Sequence, residues 1–163
     1  MSKKKRVYIV LLVGVLLLVA GVVIYMNGQN SSEWKKLNTV REHDALFEEE
    51  IKEIALRKTV DAAEWVVFND TDLIEEWETF FSNLVVKRDD SFDKSESDIN
   101  GGVSVVGIKT NVKDITVHIY DVSDNHVIEI DGYFYLCESM DGNPFAETYD
   151  IAMERHGTVT PWE

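Results

Sequence analysis

The sequence predicts an α+β protein: an N-terminal transmembrane helix is followed by one ectodomain, in which an antiparallel meander sheet is packed by two to three helices. Three observations predict this architecture. An unbroken apolar run occupies residues 7–26, two later segments carry apolar residues at helical spacing, and residues 103–137 contain short β-rich segments separated by turn residues.

The apolar run Val7–Met26 has the length of a membrane-spanning helix. At ~1.5 Å of rise per residue, it covers roughly the 30 Å hydrocarbon core of a bilayer. Four basic residues precede the run, whereas residues 27–32 carry no charge. Because positive flanks tend to stay in the cytoplasm, we expect residues 1–6 to be a cytoplasmic tail, residues 27–37 a stalk and residues 38–163 an extracytoplasmic domain.

A cleaved signal peptide is the alternative to a permanent anchor. Signal peptides have an apolar core of only ~7–15 residues that ends at small residues. The nearest match here, Val19-Ala20-Gly21, is followed by more apolar residues. A lipoprotein needs a cysteine just after the apolar core, and the single cysteine is Cys137. The run therefore favours a single-pass protein of the cell membrane.

The chain after Met26 is strongly acidic. It holds all 30 Asp and Glu residues and 12 of the 16 Lys and Arg residues, a formal net charge of −18. Such a surface repels nucleic acid phosphates and anionic headgroups, so nucleic acid is excluded as a partner. The charge favours cationic partners or metal ions, although a solubilising role is the simpler interpretation. With one cysteine, the domain has no intrachain disulfide.

The first half of the domain is predicted to mix helices and strands. Residues 37–51 follow a helical stripe, a strand is expected from near Lys52, and a second strand is expected at Glu64–Asn69. The next helix is expected to begin at Asp72, because Glu75 three residues later completes a capping-box pattern. The apolar face of this helix is expected to pack on the sheet: Leu73, Ile74, Trp77, Phe80, Phe81 and Leu84.

The second half is predicted to be a meander closed by a helix. Four strands are expected: Val103–Thr110, Asp114–Asp121, His126–Ile130 and Tyr133–Cys137. Asp131-Gly132 is typical of a type I′ hairpin turn, which would pair the last two strands. A final helix is expected after Asn143-Pro144 and should end at Gly157. Its buried face is expected to carry Phe145, Tyr149, Ala152 and Met153.

A long polar segment, residues 87–102, interrupts these elements. Because long loops are usually functional or mobile, we place candidate interaction residues here. They are Asp89, Asp90, Phe92 and Asp93. A calcium loop starting at Asp89 fails, since Lys94 occupies its glycine position and Asn100 its bidentate glutamate position. Two interpretations of this segment remain: an irregular calcium site, or a flexible loop exposed to solvent.

The predicted sheet supplies three further candidates for interaction: His118, Tyr120 and Tyr133 on an exposed face. No zinc-ligand spacing, nucleophile elbow or phosphate-binding glycine loop is present, so no catalytic residue, metal ligand or cofactor is expected. Cys137 follows apolar strand residues and is interpreted as a buried apolar filler rather than a nucleophile.

Several motifs together resemble those of small uncharacterised membrane-anchored proteins of Gram-positive bacteria. They are the lysine-led anchor, the helix start with Asp70, Asp72, Ile74 and Trp77, the strand Ile115–Tyr120 and the hairpin Ile130–Leu136. The resemblance implies a bacterial cell-surface location and an α+β domain, and it carries over no functional residue.

We therefore expect an interaction or sensor module without catalytic activity, held in the membrane by Val7–Met26. Its partner is expected to be a protein or peptide at the outer face of the membrane. Two alternatives stay open: a small cell-surface hydrolase or metal-dependent enzyme, and an envelope immunity or exclusion protein.

Overall fold

The computed structural model describes residues 33–43, 45–95, 99–122, 125–160 and 162. The predicted cytoplasmic tail, transmembrane helix and residues 27–32 of the predicted stalk lie outside these ranges. Within the described ranges, no helix is long and apolar enough to cross a membrane.

The described residues form an α+β fold, which confirms the predicted class. Eight strands are described, and they pair antiparallel in one sheet of order β1-β4-β8-β7-β6-β5-β2-β3. The strands are β1 (Lys35–Lys36), β2 (Ile51–Arg57), β3 (Val66–Phe68), β4 (Val85–Arg88), β5 (Ile99–Thr110), β6 (Asp114–Val122), β7 (Asn125–Ile130) and β8 (Tyr133–Cys137). The described α-helices are α1 (Ala45–Glu48), α2 (Thr71–Asn83) and α3 (Phe145–His156).

The predicted helix over residues 37–51 was wrong. Two 3-10 turns, Leu37–Thr39 and Arg41–His43, and the four-residue α1 replace it. The backbone N–H of Leu37 donates to the carbonyl of Leu84 at 2.8 Å, and β1 pairs with β4 just before it. This edge pairing holds the chain extended up to Leu37, and a short helix in isolation is too weak to compete with it.

The core lies between one face of the sheet and α2. Alternate residues of the central strands point into it, including Ile115, Val117 and Ile119 of β6, as predicted from their alternation. The apolar stripe of α2 is also buried as predicted, with Trp77 fully enclosed. Helix α3 adds Phe145 and Ala152 to the same core, whereas Met153 is 42% exposed, contrary to expectation.

The hairpin between β7 and β8 has the predicted turn. Asp131 and Gly132 have φ angles of 51° and 81°, as a type I′ turn requires. Ile130 pairs with Tyr133 and Ile128 with Tyr135, so the register is also as expected. Sequence reasoning was wrong about the start of α2, because Asp70 rather than Asp72 is the N-cap and makes no side-chain capping bond.

The polar segment 87–102 is shorter than predicted, because both neighbouring strands extend into it. Arg88 still pairs with Tyr135 of β8, and Ile99 already pairs with Val122 of β6. Within the described ranges, residues 89–95 of this segment are therefore outside the strands, and residues 96–98 lie outside those ranges. Cross-strand hydrogen bonding overrides the local polarity of the sequence at both ends.

Candidate functional site

A polar and aromatic cluster lies on the face of the sheet opposite the core, which we call the outer face. Its centre is Glu129 of β7, whose side chain is 13% exposed. Strand alternation puts Glu129 beside two residues that pair directly with it, His118 of β6 and Phe134 of β8. Tyr120 lies one step further along the same face of β6.

One carboxylate oxygen of Glu129 receives three partners. The hydroxyl of Tyr120 donates to Oε2 at 2.7 Å, and Nζ of Lys94 lies 2.8 Å from the same atom. Nδ1 of His118 lies 3.3 Å away. Through Lys94, this oxygen atom connects the polar segment after β4 to the sheet.

The charge state of the cluster follows from these contacts. Burial by itself raises the pKa of Glu129, but hydrogen bonds from Lys94 and Tyr120 outweigh it and hold that pKa below its ordinary value. The bond to Glu129 raises the pKa of Lys94. Burial lowers the pKa of His118 against the opposing pull of Glu129. At neutral pH, the cluster is a carboxylate and an ammonium beside a neutral imidazole.

Aromatic rings complete the cluster. The ring centroid of Phe92 lies 5.6 Å from that of Tyr120 and 5.1 Å from that of Phe134. Nζ of Lys94 lies 5.7 Å and 5.1 Å from the centroids of the same two rings. Phe92 and Lys94 thus lie together on the outer face, and the lysine ammonium lies beside two rings and a carboxylate.

Three of the seven residues predicted from sequence meet in this cluster: Phe92, His118 and Tyr120. The expectation that Tyr120 is exposed was wrong, since it is 4% exposed beneath the loop. Burial and the bond to Glu129 raise the pKa of its hydroxyl to about 12. Sequence reasoning missed Glu129 and Lys94, because their pairing depends on where the loop folds back.

The other four candidates do not join the cluster. Asp89 accepts hydrogen bonds from the N–H and Oγ of Ser91, and Asp90 accepts one from Arg88. Asp93 accepts from the N–H and Oγ of Ser95, so it shapes the loop. Tyr133 faces the core side at the sheet margin, where the guanidinium of Arg88 lies 4.5 Å from its ring.

A second feature, which sequence reasoning did not find, is an open groove of about 860 Å³. It lies between α2 and residues 138–147, and no basic side chain belongs to its described lining. Six carboxylate side chains line this acidic groove: Asp72, Glu75, Glu76, Glu138, Asp141 and Glu147. At one end, Arg155 pairs with Asp72 at 3.3 Å.

The acidic groove also has apolar lining, and part of its charge has a local physical reason. Phe80, Leu84 and Pro144 contribute apolar surface to its lining. Carboxylates in the first turns of α2 are stabilised by the positive end of the helix dipole. Nothing local predicted that residues 138–147 lie across from these carboxylates.

The described residues include neither a cluster of metal ligands nor an accessible thiol. No group of three or more His, Cys, Asp and Glu side chains there is arranged to hold a metal ion. Cys137 is 6% exposed, as expected for an apolar filler, and burial raises the pKa of its thiol to about 12.

Comparison with family models, with characterised proteins and with solved structures returns no match for this chain.

Proposed function

We propose that the protein is a membrane-anchored extracytoplasmic binding module without catalytic activity, whose acidic groove takes a lysine- and arginine-rich segment of a protein partner. Residues 7–26 would be the anchor, with the N-terminus in the cytoplasm. The acidic groove is the observation that carries the binding role, since six carboxylates line one open concavity. Complementary charge both attracts such a partner and orients it.

An extended cationic segment suits the acidic groove better than a single metal ion. Calcium requires about six to eight oxygens converging at roughly 2.3–2.6 Å. Here the carboxylates are distributed over α2 and residues 138–147 of an open groove whose lining also includes apolar side chains. Lysine and arginine side chains match both features, because their stems cover apolar surface while their charged ends reach carboxylates.

The contacts of Glu129 bear on the hydrolase alternative. In catalytic triads, a carboxylate orients the histidine that acts as a general base. The carboxylate beside His118 instead lies closer to Lys94 and Tyr120 than to the imidazole. The immunity or exclusion alternative also fits an acidic binding surface, and it differs from our proposal only in the identity of the partner.

A direct test measures binding of a fluorescein-labelled oligolysine peptide by anisotropy at low ionic strength. The variant Glu75→Gln/Glu76→Gln/Glu147→Gln removes three charges from the acidic groove. The matched control, Asp61→Asn/Glu64→Gln/Asp114→Asn, removes three exposed charges elsewhere. At roughly 0.5 kcal/mol for each exposed charge, we expect the groove variant to bind about tenfold more weakly and the control to bind as wild type does.

If both variants bind the peptide equally more weakly than wild type, the binding depends only on overall net charge. That result would overturn the acidic groove as the binding site. Topology is tested separately with an external protease on intact cells. Digestion of residues 38–163 supports the proposed orientation, and full protection of those residues contradicts it.

A further inference from the structure

We propose that Tyr120, Glu129 and Phe134 form an ammonium-binding pocket on the outer face. Lys94 of the same chain occupies this pocket in the structure. When Lys94 leaves, a lysine side chain of a partner protein binds there instead. The pocket is separate from the acidic groove, so it adds a second binding site and does not rest on the proposed function.

The geometry around Nζ of Lys94 is that of a ligand in a binding site. The ammonium lies 2.8 Å from Oε2 of Glu129 and 5.1 Å and 5.7 Å from the ring centroids of Phe134 and Tyr120. Two aromatic faces and a carboxylate are the groups that proteins use to bind ammonium ions. Tyr120 also donates to Glu129, which orients the carboxylate.

The three pocket residues belong to the sheet, whereas the lysine belongs to a loop. Tyr120, Glu129 and Phe134 lie on β6, β7 and β8, which pair along their length. The position of the pocket is therefore independent of the loop. Withdrawal of Lys94 leaves the carboxylate of Glu129, which is 13% exposed while the lysine covers it, free to bind another cation.

Lys94 is held in a way that permits exchange. Its side chain is 49% exposed, and an ion pair with a partly solvated lysine contributes little net stability. The loop also carries its own local structure, because Asp89 binds Ser91 and Asp93 binds Ser95. None of these four bonds involves the contact between Lys94 and Glu129.

The pocket favours a peptide ligand that carries both a primary ammonium group and an aromatic side chain. A short bond to Glu129 needs a donor hydrogen, which a primary ammonium has and a quaternary one lacks. Phe92, two residues before Lys94, lies against both Tyr120 and Phe134. We expect a partner segment of the form aromatic-x-lysine to reproduce both contacts, with its lysine competing against Lys94 at the loop's effective concentration.

The test uses the full chain with Lys94→Ala and measures thermal stability with added n-butylammonium, and with n-butanol as the neutral control. Binding to the folded state raises Tm. We expect apparent binding of n-butylammonium to be about two- to sixfold tighter in Lys94→Ala than in wild type, because Lys94 competes for the pocket only as strongly as a partly solvated ion pair allows. The gain should vanish in Lys94→Ala/Glu129→Gln and persist when the three groove glutamates are replaced.

Equal stabilisation of wild type and Lys94→Ala, or an equal effect of n-butanol, overturns the pocket. A second arm compares the pentapeptides Ser-Phe-Ala-Lys-Ser and Ser-Phe-Ala-Gln-Ser in Phe92→Ala/Lys94→Ala, where both contacts are vacated. Tighter binding of the lysine peptide than of both the glutamine peptide and n-butylammonium supports a protein ligand, and equal or weaker binding overturns that assignment. If Lys94→Ala does not fold, the wild-type protein serves: the lysine peptide should shift the side-chain NMR resonance of Lys94, and an unchanged resonance contradicts the proposal.

Discussion

The indole ring of Trp162 lies directly against Gly107 of β5, so closely that a Cβ atom at this glycine would be 2.5 Å from Cη2 of the ring. Nε1 of Trp162 donates to Glu53 at 2.9 Å, and the ring lies 5.3 Å from that of Trp65. The C-terminal segment therefore covers one part of the outer face, and the absence of a side chain at Gly107 makes the contact possible.

Gly107→Ala should displace Trp162. The added methyl group overlaps the indole, and overpacking of this kind costs about 1–3 kcal/mol of the free energy of unfolding. Chemical denaturation gives that free energy, and tryptophan emission should shift to longer wavelength as the ring becomes hydrated. In a Trp162→Ala background, the same glycine substitution should cost less than about 0.5 kcal/mol. Equal costs in the two backgrounds would show that the indole does not restrict Gly107.

Mild acid should weaken the fold through His43. This side chain is 1% exposed, its Nε2 shares a 2.9 Å hydrogen bond with the hydroxyl of Tyr135, and its Nδ1 has no hydrogen-bond partner among the described residues. Burial lowers the pKa of His43, opposed by Asp131 and Glu42, while Lys113 and Arg88 act in the same direction as burial.

The sign of the pH effect follows from that direction. Because the folded-state pKa of His43 lies below the unfolded value of about 6.5, the unfolded chain takes up the proton first. Stability should therefore be constant above that pH and fall as pH decreases toward the folded-state pKa, by at most about 1.4 kcal/mol per pH unit for one group. Denaturation between pH 7.5 and 5 measures the slope.

Two variants separate the contributions to this slope. His118 also has a lowered pKa and adds a loss of the same sign, so His118→Gln should reduce the slope in part. His43→Gln should reduce it further. An unchanged slope in His43→Gln would contradict the assignment.

Thr148 joins the two long helices. Its Oγ1 accepts a hydrogen bond from Nε1 of Trp77 at 3.1 Å and donates to the carbonyl of Pro144 at 2.8 Å, with both side chains fully buried. Thr148→Val keeps the shape but leaves the indole N–H without an acceptor, which should cost about 1–3 kcal/mol. The same substitution at exposed Thr116 is the control and should change stability by less than about 0.5 kcal/mol.

Cys137 should react slowly with thiol reagents in the folded protein. Its thiol is buried and its pKa is raised to about 12, so the reactive thiolate is scarce at neutral pH. We expect reaction with Ellman's reagent to be at least about tenfold slower than in guanidinium chloride. Because the chain has one cysteine, the measurement reports this site alone. Equal rates would contradict burial.

The sheet and helix faces were predictable because they depend on local periodicity. Alternation in β6 identified its core-facing residues, and the three- and four-residue spacing in α2 identified the buried stripe around Trp77. The turn at Asp131-Gly132 was predictable because few dipeptides accept two positive φ angles. By contrast, the region before Ile51 was predicted wrongly, because pairing of β1 with β4 depends on residues fifty positions apart.

Candidate sites were predicted only in part. Phe92, His118 and Tyr120 were identified as polar or aromatic residues in a loop and on a strand, but the grouping of these residues depends on the loop folding back across the sheet. Glu129 alternates with Ile128 and Ile130, and this pattern places it on the face opposite the core without indicating any partner. The sequence around Lys94 likewise does not indicate that its partner is Glu129.

The sequence by itself determined the acidic charge of the domain, the α+β class, the meander with its hairpin turn and the buried face of α2, because composition and short-range periodicity carry that information. Only the tertiary structure decided that Lys94 lies on Glu129, that Trp162 covers Gly107 and that carboxylates from α2 and residues 138–147 face one groove. These contacts join residues far apart in the chain, and their geometry exists only once the sheet and helices have packed together.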